Sequence, residues 1–485
     1  MPVNSAVYLV NLETNSGQYT DVASLVTRFH ISRQIASLFQ PLQEGRLTVE
    51  LDNNASNFTP SNSASPHYPN LVPGKNIRVQ ATSAGSTYDL FFGKVLEYSL
   101  QPGIGRRTVM LEAADAAQRL RETTINTSLF VGVNTASLFT ALMSASNVAS
   151  FAADVFYDSI PFAWFQDVIA AGAIQKIVEF GNYSVYVDPA GTIKLKNRYF
   201  GLDAVSVASY MASNTDGFFS MDYTLNADSI INLSKVSGQT RQAATSQQTV
   251  AWLSEKPTIA ASACLGFWVS YVNPAEPTVG CPAMSLQVPV SSSDWKLNTA
   301  ADGSGVDRTS TGSLSITLFG EAAVCSLCNG SADTVYVTKF QIRGFSVPQQ
   351  PSLAVQHDNT SSQLDYGKRE FTLENDFIGT QNYAKDYAKF LVDNHKNPIA
   401  DITMALNNVF PDAVAHDLGD ILSLVESHSG VNSQWSITSL DHDVTFDEGI
   451  QHVTTFGVKF YNNKPWLILD DPIRGVLDGN RELAF

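Results

Sequence analysis

The chain has 485 residues, which predicts about three domains at roughly 150 residues each. A hydrophobic content of 44% supplies enough apolar mass for packed cores, so composition excludes a disordered chain. A formal net charge of −16, with no basic run longer than a pair such as Arg106-Arg107, argues against a nucleic-acid binder, which neutralises phosphates with clustered Lys and Arg.

Charged residues make up only 16% of the chain, below the roughly 25% of ordinary soluble domains. Two readings fit: surfaces covered by neighbours, or a β protein rich in Ser, Thr and Asn. The start, MPVNSAVYLVNLETNSG, lacks a basic segment and a sustained apolar run, which predicts no secretory signal. No eighteen apolar residues run together, so no ordinary transmembrane helix is expected. The expectation is a soluble chain made in a cytoplasm.

Alternating apolar residues predict strands at 5–12, 46–52, 76–82, 87–98 and 106–113, a small barrel or sandwich closed by a helix over 113–122. Between the second and third strands runs a long Asn, Ser and Pro connector. Helical spacing returns at 135–146 and again at 159–182, where Ser159 suits a cap, Pro161 a first turn and Gly181 a left-handed exit. Residues 183–198 read as a hairpin around Asp-Pro-Ala-Gly. The stretch 226–350 is all β in character. A helix at 380–395 and further strands follow, with a hairpin around Asp447-Glu448-Gly449.

No motif for catalysis emerges. There is no Ser elbow and no phosphate loop with its lysine. Paired carboxylates such as Asp470-Asp471 cannot be assigned to one cleft, so the chain is expected not to be an enzyme. His416, His428, His442 and His452 lie near Asp417, Asp420, Asp441 and Asp443, but without HxH or HExxH spacing; they are expected to be solvent-facing strand residues, with no metal and no cofactor. Asp302–Asp307 reads as an ordinary glycine turn rather than a calcium loop. Cys264, Cys281, Cys325 and Cys328 include one CxxC, but no second half-site and no histidine between Cys264 and Cys328. Buried small thiols are expected. Trp252, Trp268, Trp295 and Tyr336 suit core packing, or stacking on sugar rings.

The connector carries the most informative pattern. Leu51-Asp52-Asn53 ends a strand, Phe58 and Pro60 follow, then Ser65-Pro66-His67-Tyr68-Pro69-Asn70, and the chain returns through Pro73-Gly74-Lys75-Asn76-Ile77-Arg78. YDLFFGKVLEY, MLEAADAAQRL, YSVYVDPAGTIKLKNR, LDYGKREFTL with HDLGDILSL, and LDDPIRGVLDGNRELAF come in the same order further on. Together these elements resemble the hub or minor tail proteins of long-tailed bacteriophages, the baseplate-hub family. The resemblance spans most of the chain and is weakest over 226–350.

What the resemblance implies is a mainly β multidomain hub with α/β parts. Residues 1–118 would form a first tube-like β-barrel, 119–225 a helix-plus-hairpin α/β domain, 226–350 a β-sandwich-like domain, 351–465 a second barrel-forming domain and 466–485 a C-terminal segment. It implies a structural virion protein: a homotrimeric ring at the distal end of the tail tube, assembled in the bacterial host cytoplasm. Its partners would be tube or distal tail proteins above, a tip, fibre or central spike below, the tape measure protein and passing genomic DNA. No catalytic residues carry over. Asn53, Phe58, Pro60, Pro66, Tyr68, Pro69 and Asn70 are the candidate inter-subunit or ring-contact loop. The competing expectation is an adhesin at the tail tip that binds a host receptor or a carbohydrate.

Overall fold

The computed structural model describes residues 6–103, 105–198, 208–211, 218–447, 449–460, 466–467 and 482–483. Glu448 of the predicted hairpin turn and most of the C-terminal segment lie outside them. The fold is mainly β, and helices Ala117–Glu122, Thr135–Ala145, Ala170–Gly181 and Gln381–His395 share a core with the hairpin over 183–198.

Among the described residues one sheet of thirteen strands dominates. Along it run, in order, Phe218–Leu225, Ala400–Asn407, Gln451–Phe460, Val431–Thr445, Val26–Gln34, Arg46–Asp52, Arg107–Ala114, Ser86–Pro102, Asn76–Ser83, Val7–Asn15 and Gln18–Asp21. Ile421–Glu426 joins beside Val431–Thr445, and Ala208–Met211 lies parallel to it. Strict alternation drives the pairing. In Asn76–Ser83 every second residue is buried, which puts Ile77, Val79 and Ala81 on the core side.

The sheet wraps two cores. Val10, Leu12, Phe29, Val49, Val79 and Leu111 belong to one; Ile402, Met404, Leu422, Trp435, Ile437 and Phe456 belong to the other. The halves meet where Val26–Gln34 pairs with Val431–Thr445, from Arg28 opposite Thr445 to Gln34 opposite Ser439. Sequence reasoning missed Val26–Gln34 because Arg28, His30 and Ser32 dilute its apolar positions. Phe29 and Ile31 nonetheless have no exposed surface.

His442 and His452 correct the expectation of solvent-facing histidines, since both are buried at this junction. Tyr8 Oη lies 2.7 Å from His452 Nδ1, and His452 Nε2 lies 3.0 Å from His442 Nδ1. Thr454 Oγ1 closes the chain by donating to the Ala413 carbonyl. His442 does alternate away from Asp441 and Asp443, but the face it turns to is the core. His416 is also buried, whereas His428 is exposed.

Helix positions shift in the same direction. The helix predicted over 159–182 spans only Ala170–Gly181, and Ser159–Ala163 is instead a strand paired with Phe130–Asn134. Its left-handed exit is Asn182 at φ 53°, not Gly181. At Gly181 a Cβ would stand 2.0 Å from the Tyr183 ring, so close packing selects glycine there. The helix expected from 113 begins at Ala117, because Arg107–Ala114 is held as a strand between two neighbours. Asp115 marks the break: its carboxylate accepts from the Ala117 and Gly45 amides. Helix Gln381–His395 packs on Ala170–Gly181, with Tyr383 and Tyr387 donating to the carbonyls of Phe180 and Glu179.

Residues 233–374 hold several small sheets. Cys264–Ser270, Ala322–Asn329 and Gly312–Leu318 form one of three strands. There Cys264 faces Cys328 in direct register, and the two form a disulfide, which corrects the expectation of four thiols. Cys281 and Cys325 are free and buried as expected. The missing information was register: residues separated by 64 positions become neighbours only when these strands pair. Trp295 packs in the core of this region, while Trp252 and Trp268 are exposed.

Candidate contact loop

Strand Arg46–Asp52 stops where Asn53 turns the chain. The Asn53 amide donates to the Arg107 carbonyl, its Oδ1 accepts from the Phe58 amide at 2.8 Å, and its Nδ2 donates to Thr59 Oγ1. Asn54 ties the other side by accepting from the Arg107 amide. Asparagine suits this place because its amide serves donor and acceptor at once.

Beyond Asn53 the chain advances by turns of three residues. The amides of Ser56, Thr59, Asn62, Ser65 and Tyr68 each donate to the carbonyl three positions earlier. Side chains lock the stack: Asn62 Nδ2 donates to the Ser56 carbonyl, Ser65 Oγ donates to the Asn57 carbonyl, and Ser65 Oγ accepts from the His67 amide. Polar composition is thus consumed within the loop, which satisfies a backbone that no sheet neighbour reaches.

Two apolar residues fasten the stack to the first core. Phe58 is fully buried and Leu71 nearly so, both in the first core. The His67 ring stacks on Phe58 at 5.2 Å, and burial lowers the imidazole's pKa. Asn70 Nδ2 donates to Asn15 Oδ1 at 2.7 Å. The return is held by Glu13, whose carboxylate accepts from the Gly17 and Asn76 amides, which hold its pKa below the usual range.

The seven candidate residues therefore separate into two groups. Asn53 and Phe58 face inward and build the loop. Pro66, Tyr68 and Pro69 are exposed, with Tyr68 at 49%, and Pro60 and Asn70 are half-buried. Val72 and Pro73, exposed beside them, extend the apolar patch; Pro73 was read from sequence only as the start of the return motif, and Val72 was not singled out. Their signal was the turn back towards the strand at Asn76, which places 72–73 beside 68–69. Among the described residues no group of three or more His, Cys, Asp and Glu could hold a metal.

Neither a protein-family model nor a curated protein matches the chain by sequence. Solved structures do match by shape. A tail protein from Neisseria meningitidis superposes with a TM-score of 0.52 at 10% identity, covering 93% of this chain and 96% of its own. The 43 kDa tail protein of prophage MuSo2 from Shewanella oneidensis gives a TM-score of 0.52 at 8% identity, covering 94% and 98%. The chain has the fold of phage tail proteins. At such identities it is the arrangement of strands, not side-chain chemistry, that is held in common.

Proposed function

We propose that this chain is a structural virion protein that forms the hub ring at the distal end of a phage tail tube. The observation that carries the reading is the single large sheet wrapping two cores, in a fold shared end to end with two tail proteins. Two tube-like units per subunit, repeated around a threefold axis, present six to a hexameric tube. Heterologous contacts of this kind close into a ring when the rotation divides evenly.

On this reading residues 1–118 are the first tube-like domain and 351–465 contribute the second, with 119–225 and 226–350 between them and 466–485 as a terminal segment. Strand Phe218–Leu225 pairs with Ala400–Asn407, so the second tube unit also draws on the end of the α/β segment. Tube and distal tail proteins stack above, a tip, fibre or central spike below, and the tape measure protein and genomic DNA pass through the bore. The protein performs no turnover. It is assembled in the bacterial host cytoplasm and ends in the virion at the tail tip.

The loop's outer edge, the exposed Tyr68, Pro69 and Val72 with half-buried Asn70 between them, is the contact with the neighbouring subunit or ring. Proline at 66, 69 and 73 fixes φ and withholds amide donors, so the edge offers a stiff surface that does not recruit stray strands. Removing the whole loop would also unplug Phe58 and Leu71, so the sharper test leaves them in place. The double variant Tyr68→Asp, Val72→Asp should fold with unchanged circular dichroism yet fail to complete tails in a plating and electron-microscopy assay. Normal tails would end the contact role. Labelling the chain in intact particles and finding it off the tail axis would end the hub role.

A further inference from the structure

The three-stranded sheet that carries the disulfide has an outer face for which the hub role has no use. Gly266 opposes Ser326, which opposes Ser315; Trp268 opposes Val324, which opposes Thr317. Directly paired residues share a face, so one surface combines a bare glycine, three hydroxyl side chains and an indole. Trp268 is 54% exposed, far more than a packing residue needs. Its ring lies within 18° of parallel to Phe319 at 5.8 Å between centroids, which holds the indole as a fixed plate.

Beside the plate opens a cleft of about 440 Å³, lined by Trp268, Ser270, Gln166, Asp167 and Glu321 among others. Its polar groups are held in place from behind. Glu321 Oε2 accepts from Trp164 Nε1 at 3.0 Å, and Gly320 donates to the Thr127 carbonyl at 2.8 Å. Asp167 is fastened by reciprocal bonds with Asn126, 2.8 and 3.0 Å long. Gly280 leaves Glu321 Oε1 uncovered by any Cβ, which would come within 3.2 Å of it. The site therefore spans two segments distant in sequence, 164–167 and 266–322.

A flat aromatic plate beside fixed acceptors matches the chemistry of a pyranose ring. The ring's C–H face stacks on the indole, and its hydroxyls donate to carboxylate and amide oxygens. Two carboxylates with no Lys or Arg among the described lining residues disfavour phosphate, sulfate and uronate. We propose that this cleft binds an uncharged oligosaccharide by stacking a sugar ring on Trp268, with Asp167 and Glu321 accepting from its hydroxyls. The site stands whether or not the chain builds a hub, and its test needs no assembled tail.

The purified full-length chain is applied to an array of neutral and acidic glycans, and the best neutral binder is then titrated by tryptophan fluorescence and calorimetry. Neutral glycans should bind and acidic ones should not. Trp268→Ala should weaken binding about tenfold, the worth of one stacked ring, and Trp268→Phe should restore part of it. Asp167→Asn should weaken it less. Trp252→Ala, at the other exposed tryptophan, should leave affinity unchanged, and circular dichroism should show all four variants folded. An array that captures no neutral glycan, or a folded Trp268→Ala protein that binds as the wild type does, overturns the assignment.

Discussion

Phe58 lies fully buried inside a stretch whose other residues are mostly polar, and it decides how the loop is held. Truncating a buried phenylalanine removes transfer free energy and leaves a cavity, so Phe58→Ala should cost about 3–5 kcal/mol in urea unfolding. Tyr68→Ala, half exposed in the folded chain, should stay within about 0.5 kcal/mol. Asn53→Ala should fall between them, because it strips the Phe58 amide of its acceptor, a loss of about 1–3 kcal/mol for a buried group. An equal loss at Phe58 and Tyr68 would contradict the division into buried anchor and exposed edge. The sequence displayed all seven loop residues, but their roles depend on direction. A phenylalanine, with no polar tip, in a polar run was the legible hint that one of them points inward.

At the level of the element, the sheet holding Cys264 and Cys328 offers a direct test. The disulfide joins directly paired residues separated by 64 positions, and closing a loop of that size is worth about 4 kcal/mol by chain-entropy arithmetic. Reduction with dithiothreitol, or Cys264→Ser, should therefore lower the melting temperature of the oxidised protein. Free Cys325 should not react with thiol reagents in the folded state, since burial pushes its pKa up to about 12. Fast labelling of Cys325 without unfolding would contradict its place in the core. The helix over 170–181 teaches the matching lesson. Its apolar face was visible in the sequence, yet the helical period continued back through 159–169, where a strand partner at 130–134 overrode it.

For the whole molecule, the junction of the two cores is the feature on which cooperativity depends. Tyr8 comes from the first strand and His442 and His452 from the last long pair, so the buried chain ties the two ends of the sequence together. Burial lowers the His452 pKa to about 3 and holds His442 well below its usual value, with the neighbouring His452 and then the Arg33 charge adding to the effect on His442. His395 is likewise lowered to about 4. Each is neutral in the folded state, while an unfolded histidine takes a proton near pH 6.5. Their contribution is complete above about pH 6.5 and is lost as pH falls towards the folded values, at up to about 1.4 kcal/mol per pH unit per histidine. Asp115 acts with the opposite sign. Burial raises its pKa to about 7, so its contribution is present at low pH and disappears as pH rises through that value. Three histidines outweigh one carboxyl, and the melting temperature at about pH 5 should lie below that at about pH 7.5. A flat or rising profile on acidification would show that the pair at the junction is not buried and neutral.

The strands at 46–52, 76–82, 87–98 and 106–113, the loop motif and the β character of the chain were legible in the sequence itself, because alternation and turn chemistry are local and each short window carries its own signal. Only the tertiary structure decided that Val26–Gln34 pairs with Val431–Thr445, that two histidines face the core, and that a disulfide spans 64 positions. Those outcomes depend on register between distant segments. A one-residue slip in register would turn every side chain of a strand to its other face, and no local pattern records which register wins.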